Sequence, residues 1–391
     1  MMKLVLLCFV AVLSYSYCSE YDPHVFKKAG PWFEGWYTRI TDHANERSLA
    51  VINAMFLNKN TSTSGYLALM FHDNRGEAME VWEAFPSELD VSLCDDREVT
   101  KNPDLKTPPC FRWNAKGSTE CEGSMIQTGP RSDYNFTVSL KSKSASNRGA
   151  TITFTATEPT MWDDSGLGPE GIADKIPLLG LYWFVYSLGS KTTYEFQSFT
   201  VDSRGARQYD RKLKGSGIAH QEKNWGDAFP KAWIWAESVN ANNTVHFALA
   251  GGPKKIPFTP FEPVLWLVGY RSPKVGAWNF KPQNLLTTGF KPVIEPCKGV
   301  FNMTIESFTK RLAVNIVAKP TTFKNCLFGP TEEGFQPMCL ESFVAHLRVE
   351  AFVKEAGSWK LVDKQELPYS ALEFGGKYTC KPCVPENLLG N

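Results

Sequence analysis

The stretch Gly30-Pro31-Trp32-Phe33-Glu34-Gly35-Trp36-Tyr37 places one carboxylate inside a run of aromatic residues. A second stretch, His220-Gln221-Glu222-Lys223-Asn224-Trp225-Gly226, does the same just past the middle of the chain. Burial of an isolated carboxylate disfavours its charged form and raises its pKa. Each glutamate is therefore either paired with a cation or kept for proton chemistry, and this choice is the main functional question.

Strand alternation sorts the side chains of the first motif onto two faces. If the motif is a strand, Glu34 and Trp36 share one face. The other face then carries Phe33, Gly35 and Tyr37. The acid would lie beside an indole ring.

The same alternation applies to the second motif. It groups Glu222 with Asn224, and Lys223 with Trp225. Glu222 and Lys223 are neighbours in sequence, but their side chains would point apart. They therefore need not neutralise each other.

Strand signals continue through the rest of the chain. Most segments alternate in hydrophobicity or carry aromatic and β-branched residues, with Gly, Pro, Asn or Asp clusters between them. No stretch longer than about three turns shows an apolar helical period with caps. We predict a mostly β protein, with strands at Trp32–Ile40, Ser48–Phe56, Tyr66–His72, Tyr134–Leu140, Thr151–Ala156, Leu181–Ser187, Thr193–Val201, Ala232–Val239, His246–Ala250, Val264–Tyr270, Val300–Ser307, Arg311–Ala318 and Ala345–Val353.

The length of 391 residues exceeds what one compact core usually serves. Both halves begin with an aromatic strand, a polar turn and an apolar strand, starting at Phe33 and at Phe229. This similarity predicts a weak internal duplication, with chance similarity of two hairpins as the alternative. We expect an N-terminal β domain at residues 20–215 and a C-terminal β domain at residues 216–391.

Two long irregular segments interrupt the predicted strands. Leu89 to Glu122 contains three cysteines and many turn residues, which favours a disulfide-stapled surface loop. Glu158 to Lys175 is rich in glycine and acidic residues and could cover the mouth of a pocket. Its glycines formally match a dinucleotide fingerprint, but no strand precedes them and Pro169 interrupts them, so we reject a nucleotide site.

The first residues are typical of a secretory signal. Lys3 supplies positive charge, Leu4 to Val12 form a short apolar core, and small residues precede a cleavage point after Cys18 or Ser19. We therefore predict a signal peptide at residues 1–19. No other apolar run approaches the ~20 residues of a membrane helix, so we expect a soluble protein that is secreted or held in the secretory lumen.

Cysteines and glycosylation sequons agree with that compartment. Cys380 and Cys383 have the spacing of a redox pair, but they lie in a proline-rich tail, so structural disulfides are favoured. Sequons occur at Asn60, Asn135, Asn242 and Asn302. Removal of the leader leaves an even set of cysteines, which suits an oxidising environment: Cys94, Cys110, Cys121, Cys297, Cys326, Cys339, Cys380 and Cys383.

Composition argues against several classes of partner. The chain has 42 basic and 41 acidic residues without a basic stripe, so neither a nucleic acid nor an anionic membrane is expected. The six histidines are not spaced as metal ligands, and no metal or other cofactor is predicted. No nucleophile elbow or phosphate loop is present. The oligomeric state stays open.

A structural role for both glutamates is the alternative to proton chemistry. Glu34 and Glu222 could be buried partners of cations that hold the strands in register, such as Arg39, Lys223 or Lys231. One fold rarely needs so costly a device twice, so the two motifs together favour chemistry. For any single tryptophan, a role as core filler is the favoured account.

At these motifs the chain resembles the tocopherol cyclase family. The matching pieces are residues 30–37, Pro177-Leu178-Leu179-Gly180-Leu181-Tyr182-Trp183, and Glu222-Lys223-Asn224-Trp225-Gly226 followed by Phe229-Pro230 and Trp233-x-Trp235. Weaker echoes are Ala248-Leu249-Ala250-Gly251-Gly252 and Leu372-Glu373-Phe374-Gly375-Gly376. They follow the family's order and cover nearly the whole mature chain.

The resemblance implies two lipocalin-like antiparallel β-barrels in tandem and an intramolecular cyclase without a cofactor. Plant members of the family close a prenylated hydroquinone into a chromanol ring. Protonation of an alkene gives a tertiary cation, which the phenol oxygen captures while a base takes the phenol proton. Such chemistry needs an acid in an apolar pocket and aromatic faces that stabilise the cation by roughly 1–2 kcal/mol each.

On this basis we expect Glu222 or Glu34 to donate the proton, with indole rings of the motifs facing the cation. Lys223 would hold one of the two glutamates ionised, as the base. Trp225 and Trp36 are expected to face the cation. Tyr37, Asn224 or His220 would orient the phenol. The other residues expected to line the pocket are Trp183, Trp233 and Trp235.

Departures from the plant pattern leave other functions open. Plant cyclases work in plastids, whereas this chain has a secretory leader, which puts the plant substrate in doubt. A complex plastid reached through the secretory pathway is the other expected location. A barrel protein that carries an isoprenoid or another lipid without chemistry is the alternative function. An extracellular interaction protein, without an apolar pocket, is the third.

Overall fold

The strands form two antiparallel sheets. The computed structural model describes residues 23–24, 30–59, 62–76, 79–93, 110–116, 121–140, 147–163, 168–171, 180–254, 261–284 and 287–383. The first sheet contains β1 (Trp32–Asp42), β2 (Arg47–Leu57), β3 (Thr63–Asp73), β4 (Glu80–Ala84), β5 (Leu89–Leu93), β6 (Cys110–Lys116), β7 (Cys121–Thr128), β8 (Arg131–Leu140), β9 (Asn147–Thr157), β10 (Leu181–Val201) and β11 (Arg207–Gly226).

The second sheet is formed by the remaining strands, accompanied by three short 3-10 turns at Pro282–Asn284, Pro296–Lys298 and Pro320–Thr322. Its strands are β12 (Ala232–Val239), β13 (His246–Pro253), β14 (Val264–Ser272), β15 (Gly276–Phe280), β16 (Thr288–Glu295), β17 (Val300–Ser307), β18 (Lys310–Val317), β19 (Cys326–Thr331), β20 (Gly334–Glu355) and β21 (Ser358–Gly376). The predicted mostly β fold is confirmed.

Strand order explains why each sheet curls. The first sheet has the order β4-β3-β2-β1-β11-β10-β9-β8-β7-β6-β5, so its two edge strands are consecutive in the chain. The short connection between β4 and β5 therefore brings the edges together, and Gly65 of β3 donates its backbone N–H to Pro86 in that connection. Curling of a sheet in this way produces a barrel.

The second sheet repeats this topology. Its order is β15-β14-β13-β12-β21-β20-β18-β17-β16, with β19 paired to β20. In both sheets four strands run outward from the centre, and the last strand returns beside the first. The shared order fits the predicted duplication, and the prediction of two tandem barrels is confirmed.

Each barrel has an apolar core of its own, and further apolar residues pack outside these two cores. Alternation directs one face of each strand inward, and large rings such as Trp113 and Phe136 fill the first barrel. Trp266 and Phe301 belong to the corresponding core of the second. A third core, which includes Trp183, joins residues of both sheets. The barrel interiors are therefore packed, and the space for a ligand lies elsewhere.

The strand that contains the second motif crosses the expected domain boundary. Residues 215 and 216 lie inside β11, which continues to pair with β1 and β10 up to Gly226. The second sheet begins at Ala232. Cutting the chain at the expected place would divide one hydrogen-bonded ladder, so we propose the boundary at residues 227–231.

Residues 89–122 differ from the expected surface loop. The described parts of this segment form β5, β6 and the start of β7. In β6 the buried residues Phe111, Trp113 and Ala115 alternate with more exposed ones, which is a half-buried strand pattern. The cysteines and turn residues around it obscured this short alternation. Cys94 lies outside the described residues.

Two disulfides attach the C-terminal segment to the second barrel. Cys297 is bonded to Cys380, and Cys326 to Cys383. The prediction of structural disulfides for Cys380 and Cys383 is confirmed, because each bonds to a distant cysteine. Cys121 and Cys339 are buried. In the described ranges, no helix is long and apolar enough to cross a membrane. The signal peptide of residues 1–19 lies outside them.

Candidate active site between the two barrels

A cavity of about 240 Å³ lies between the two sheets. Strands β1, β2, β3, β10 and β11 contribute one wall, and strands of the second sheet contribute the other. Most of its lining is apolar or aromatic, and the charged residues among those described are Glu170, Glu222, Lys254, Glu341 and Glu373. An apolar space with a few convergent polar groups is typical of a small-molecule site.

The outward face of β1 supplies part of this wall. Phe33, Gly35 and Tyr37, which alternation places on one face of the strand, all line the cavity. Trp36 also borders the cavity, but its indole belongs to the core of the first barrel and donates its N–H to Tyr186 at 3.1 Å. One face of the motif therefore lines the cavity, and the other packs in the core of the first barrel.

Glu34 faces the first barrel rather than the cavity. It is fully buried, and Lys223 Nζ lies 2.9 Å from its Oε1. Burial alone would raise the pKa of Glu34, but the Lys223 ammonium and His24 together hold it below its usual value. The ion pair therefore keeps Glu34 charged, as the structural alternative proposed.

Trp225 lies on the same inward side. Its ring stacks on Tyr182 with centroids 5.3 Å apart and on His24 at 4.4 Å. Lys223 Nζ is 4.7 Å from the Trp225 ring centroid. The cation that this indole faces is therefore a lysine of the protein itself.

Glu222 points into the cavity from β11, directly opposite Tyr37 of β1 in the strand pairing. Trp235 donates its Nε1–H to Glu222 Oε2 at 3.0 Å. His220 Nε2 lies 2.9 Å from the same oxygen. The side chain is only 4% exposed. Both contacts hold this oxygen in place at the cavity wall.

Two further glutamates come from the second barrel, and the motif analysis assigned a role to neither. Glu341 of β20 and Glu373 of β21 stand directly opposite each other across the strand pair. Tyr37 donates its hydroxyl hydrogen to Glu341 Oε1 at 2.8 Å. Trp233 donates its indole N–H to Glu373 Oε1. Both carboxyl groups line the cavity.

Burial shifts the proton affinity of this glutamate pair. Burial, and next the neighbouring Glu373 charge, raise the pKa of Glu341 well above its ordinary value, against the opposing effects of Tyr37 and Arg39. Burial raises the pKa of Glu373 to about 7, and the charge of Glu222 adds to it. Glu341 Oε2 has no hydrogen-bond partner among the described residues. A proton on this pair relieves the repulsion between two buried carboxylates.

The sequence-predicted pocket residues divide between the two sides of the first sheet. Asn224, Trp183, Trp233 and Trp235 line the cavity together with Tyr37 and Glu222. His220 reaches it through Glu222. In contrast, Glu34, Lys223 and Trp225 lie in the first barrel.

The acidic segment at 158–175 reaches the cavity, as its composition suggested. In its described part, Glu170 lines the cavity and accepts the backbone N–H of Trp183 at 2.9 Å. Asp163 forms an ion pair with Lys281 of the second half. This segment therefore forms part of the wall.

The missed glutamates left only faint signals in the sequence. Glu373 belongs to the weak echo Leu372-Glu373-Phe374-Gly375-Gly376, which carried no assigned role. Glu341 stands in no aromatic motif. Its position at the cavity becomes apparent only when β20 and β21 pair and face β1.

Comparisons with known proteins agree with this arrangement. The sequence model of the family described as Tocopherol cyclase-like matches residues 208–376. The crystal structure of CghA is similar to this chain with a TM-score of 0.55, at 10% sequence identity over 92% of each chain. The structure of CghA with Sch210972 gives a TM-score of 0.50, at 11% identity over 88% of each chain.

The structural likeness shows a shared fold. The sequence match makes residues 208–376 similar to the family described as Tocopherol cyclase-like. No curated protein sequence matches the chain. The family match spans the second motif, Trp233, Trp235 and the Glu341–Glu373 pair. The resemblance inferred from the motifs is therefore confirmed, and over residues 208–376 the sequence is similar to the Tocopherol cyclase-like family.

Proposed function

We propose that the protein is an acid-catalysed cyclase, an isomerase that closes a prenylated hydroquinone or a related isoprenoid into a chromanol-type ring. The observation that carries this proposal is the apolar cavity between the barrels, with several carboxyl groups in an otherwise aromatic wall. Alkene protonation needs an acid in such surroundings, because water would otherwise take the proton and quench the cation.

The cavity residues suggest distinct roles. The rings of Tyr37, Trp233 and Trp235 would stabilise the cation, by roughly 1–2 kcal/mol each when desolvated. Glu222, with hydrogen bonds from Trp235 and His220, would accept the phenol proton as the base. Asn224, half-exposed beside it, would orient the phenol. Glu34 and Lys223 would instead stabilise the pairing of β1 and β11 from the side of the first barrel.

The test is incubation of the purified protein with a prenylated hydroquinone, followed by chromatography and mass spectrometry. We expect a product of unchanged mass with a closed ring. Glu222→Gln should lower turnover by about 10²-fold while ligand binding persists, because the base is lost. The exposed Glu195→Gln is the matched control and should leave turnover unchanged, since Glu195 pairs with Lys214 on the surface.

A lipid carrier is the second candidate. The favouring observation is that one of the two motif glutamates, Glu34, is neutralised by Lys223 outside the cavity. A carrier would quench the cavity tryptophans on binding a prenylated ligand but release it unchanged. Absence of any product, together with retained quenching, would contradict the cyclase and support the carrier.

We also propose that the protein works in an oxidising compartment of the secretory pathway. The Cys297–Cys380 and Cys326–Cys383 disulfides support this location, because such bonds persist where thiols are not kept reduced. Asn135 and Asn242, each in a sequon, are exposed. Mass spectrometry of the secreted protein, with and without glycosidase, tests the proposal.

A further inference from the structure

We propose that Glu341 and Glu373 form an acid pair that holds one shared proton and donates it to the substrate. This inference rests on the proposed cyclase function, but it names an acid centre that neither aromatic motif contains. The two residues belong to β20 and β21, so the proton donor would come from the second barrel, opposite the first motif.

The strand pairing places the two carboxyl groups at facing positions on the cavity wall. Glu341 and Glu373 occupy facing positions of an antiparallel pair, where side chains on the same face lie close together. Both line the cavity, and Glu341 is 1% exposed. Two carboxylates that share a buried site cannot both ionise without a large cost.

The groups around the pair supply little positive charge to neutralise its carboxyl groups. Glu341 is faced by Tyr37, Arg39 and Glu237, and the Arg39 charge is already taken up by a buried ion pair with Glu237. Glu373 is faced by Trp233, Cys339 and Glu222. Among these neighbours, no cation is bonded directly to either carboxyl group, whereas Glu34 has its own lysine.

The proposed cycle balances without a co-reactant. The pair gives its proton to one alkene carbon, so a C–H bond forms as the π bond breaks. The phenol oxygen then forms a C–O bond to the cationic carbon, and its proton passes to Glu222. A fully ionised pair is the unfavourable state, so the proton returns from Glu222 to the pair. The enzyme is restored, and the product is an isomer of the substrate.

The shared proton can be observed without any substrate. The C=O stretching band of a protonated carboxylic acid should be present in the infrared spectrum at neutral pH. Glu83 would contribute to this band as well, because burial raises its pKa to about 7 and its partner is Tyr66. We therefore use Glu83→Gln as the background protein. The band should persist there and disappear when Glu341→Gln and Glu373→Gln are added.

Turnover supplies the second readout. The Glu341→Gln, Glu373→Gln double variant should lose at least about 10²-fold of turnover, with ligand binding retained. Glu83→Gln is the matched control, since it removes a similar buried acid that does not line the cavity, and it should retain turnover. In the single variant Glu373→Gln, the loss of activity on the alkaline side of the pH profile should occur at a lower pH. Removal of the like charge of Glu373 lowers the pKa of Glu341.

Each outcome decides the inference. An absent infrared band at neutral pH, or a band unchanged in the triple variant, would overturn the shared proton. Full turnover in the double variant would overturn the donor role while leaving the cyclase proposal intact. If the wild type forms no product but shows the band, the cyclase and the donor role fail and the proton-sharing pair stands.

Discussion

At the scale of single residues, buried carboxyl groups in this protein are stabilised in two different ways. Glu34 is charged and has a cation 2.9 Å away. Glu341 accepts a hydrogen bond from the neutral Tyr37 hydroxyl, and its second oxygen has no partner among the described residues. The first arrangement keeps a charge in place, whereas the second favours a neutral acid. The two kinds of group lie on opposite sides of β1.

Removal of Lys223 should destabilise the fold strongly. Lys223→Met leaves Glu34 buried without its cation, which we expect to lower the free energy of unfolding by about 3–5 kcal/mol. Lys214→Met is the control, because Lys214 and its partner Glu195 are 77% and 50% exposed, and a surface pair contributes less than about 1 kcal/mol. Urea denaturation measures both.

The same pair predicts a pH dependence of stability. The pKa of Glu34 in the folded protein lies below the ordinary value of 4.5. Its contribution is therefore fully present above pH 4.5 and is lost as the pH falls through the folded pKa. This loss of unfolding free energy at low pH should be missing in Lys223→Met. If the free energy of unfolding of that variant falls at low pH as much as that of the wild type, the role of the pair is contradicted.

At the scale of elements, β12 connects the two acid sites. Trp233 and Trp235 lie on the same face of this strand, and their indole N–H groups donate to different carboxyl groups. Trp233 bonds to Glu373 on β21, and Trp235 bonds to Glu222 on β11. One strand thus positions carboxyl groups of both barrels against the same cavity.

A glycine opposite Trp233 makes this arrangement possible. Gly375 pairs with Trp233 across β12 and β21, and a Cβ at Gly375 would lie 1.9 Å from the indole ring. Gly375→Ala should therefore displace Trp233 from Glu373 and cost about 1–3 kcal/mol of stability. Gly289→Ala is the control, because the nearest atom to its new Cβ is 3.9 Å away. Thermal unfolding and tryptophan fluorescence check the result, and equal effects of both variants would contradict it.

At the scale of the whole molecule, the cavity exists because two barrels face each other. Arg39 of β1 forms a buried ion pair with Glu237 of β12. It also donates to the carbonyl oxygen of Phe343 at 3.1 Å. These bonds join the two sheets beside the acid pair and set how closely the walls approach.

Loss of this connection should loosen the two barrels. Arg39→Met leaves Glu237 buried and unpaired, which we expect to cost about 3–5 kcal/mol. Because the link between the sheets is weakened, calorimetry should resolve two unfolding transitions in place of one. The partly exposed Arg311→Met, which breaks the pair with Glu306, should cost less than about 1 kcal/mol. A single transition at the wild-type temperature would contradict this role of Arg39.

The sequence by itself determined the features that depend on neighbours along the chain. Alternation is a local property of a strand, so the sequence grouped the side chains of the second motif by face: Glu222 with Asn224, and Lys223 with Trp225. The strand-rich fold, the tail disulfides and the family resemblance followed from similar local patterns.

Only the tertiary structure decided which side of each strand faces a ligand and which acids stay unpaired. Lys223 neutralises Glu34 because β1 and β11 pair, although the two residues are far apart in sequence. Glu341 and Glu373 meet through another long-range strand pair, and Tyr37 reaches Glu341 across the gap between the barrels. Proton affinity depends on burial and on charges that the fold brings together, which no local pattern encodes.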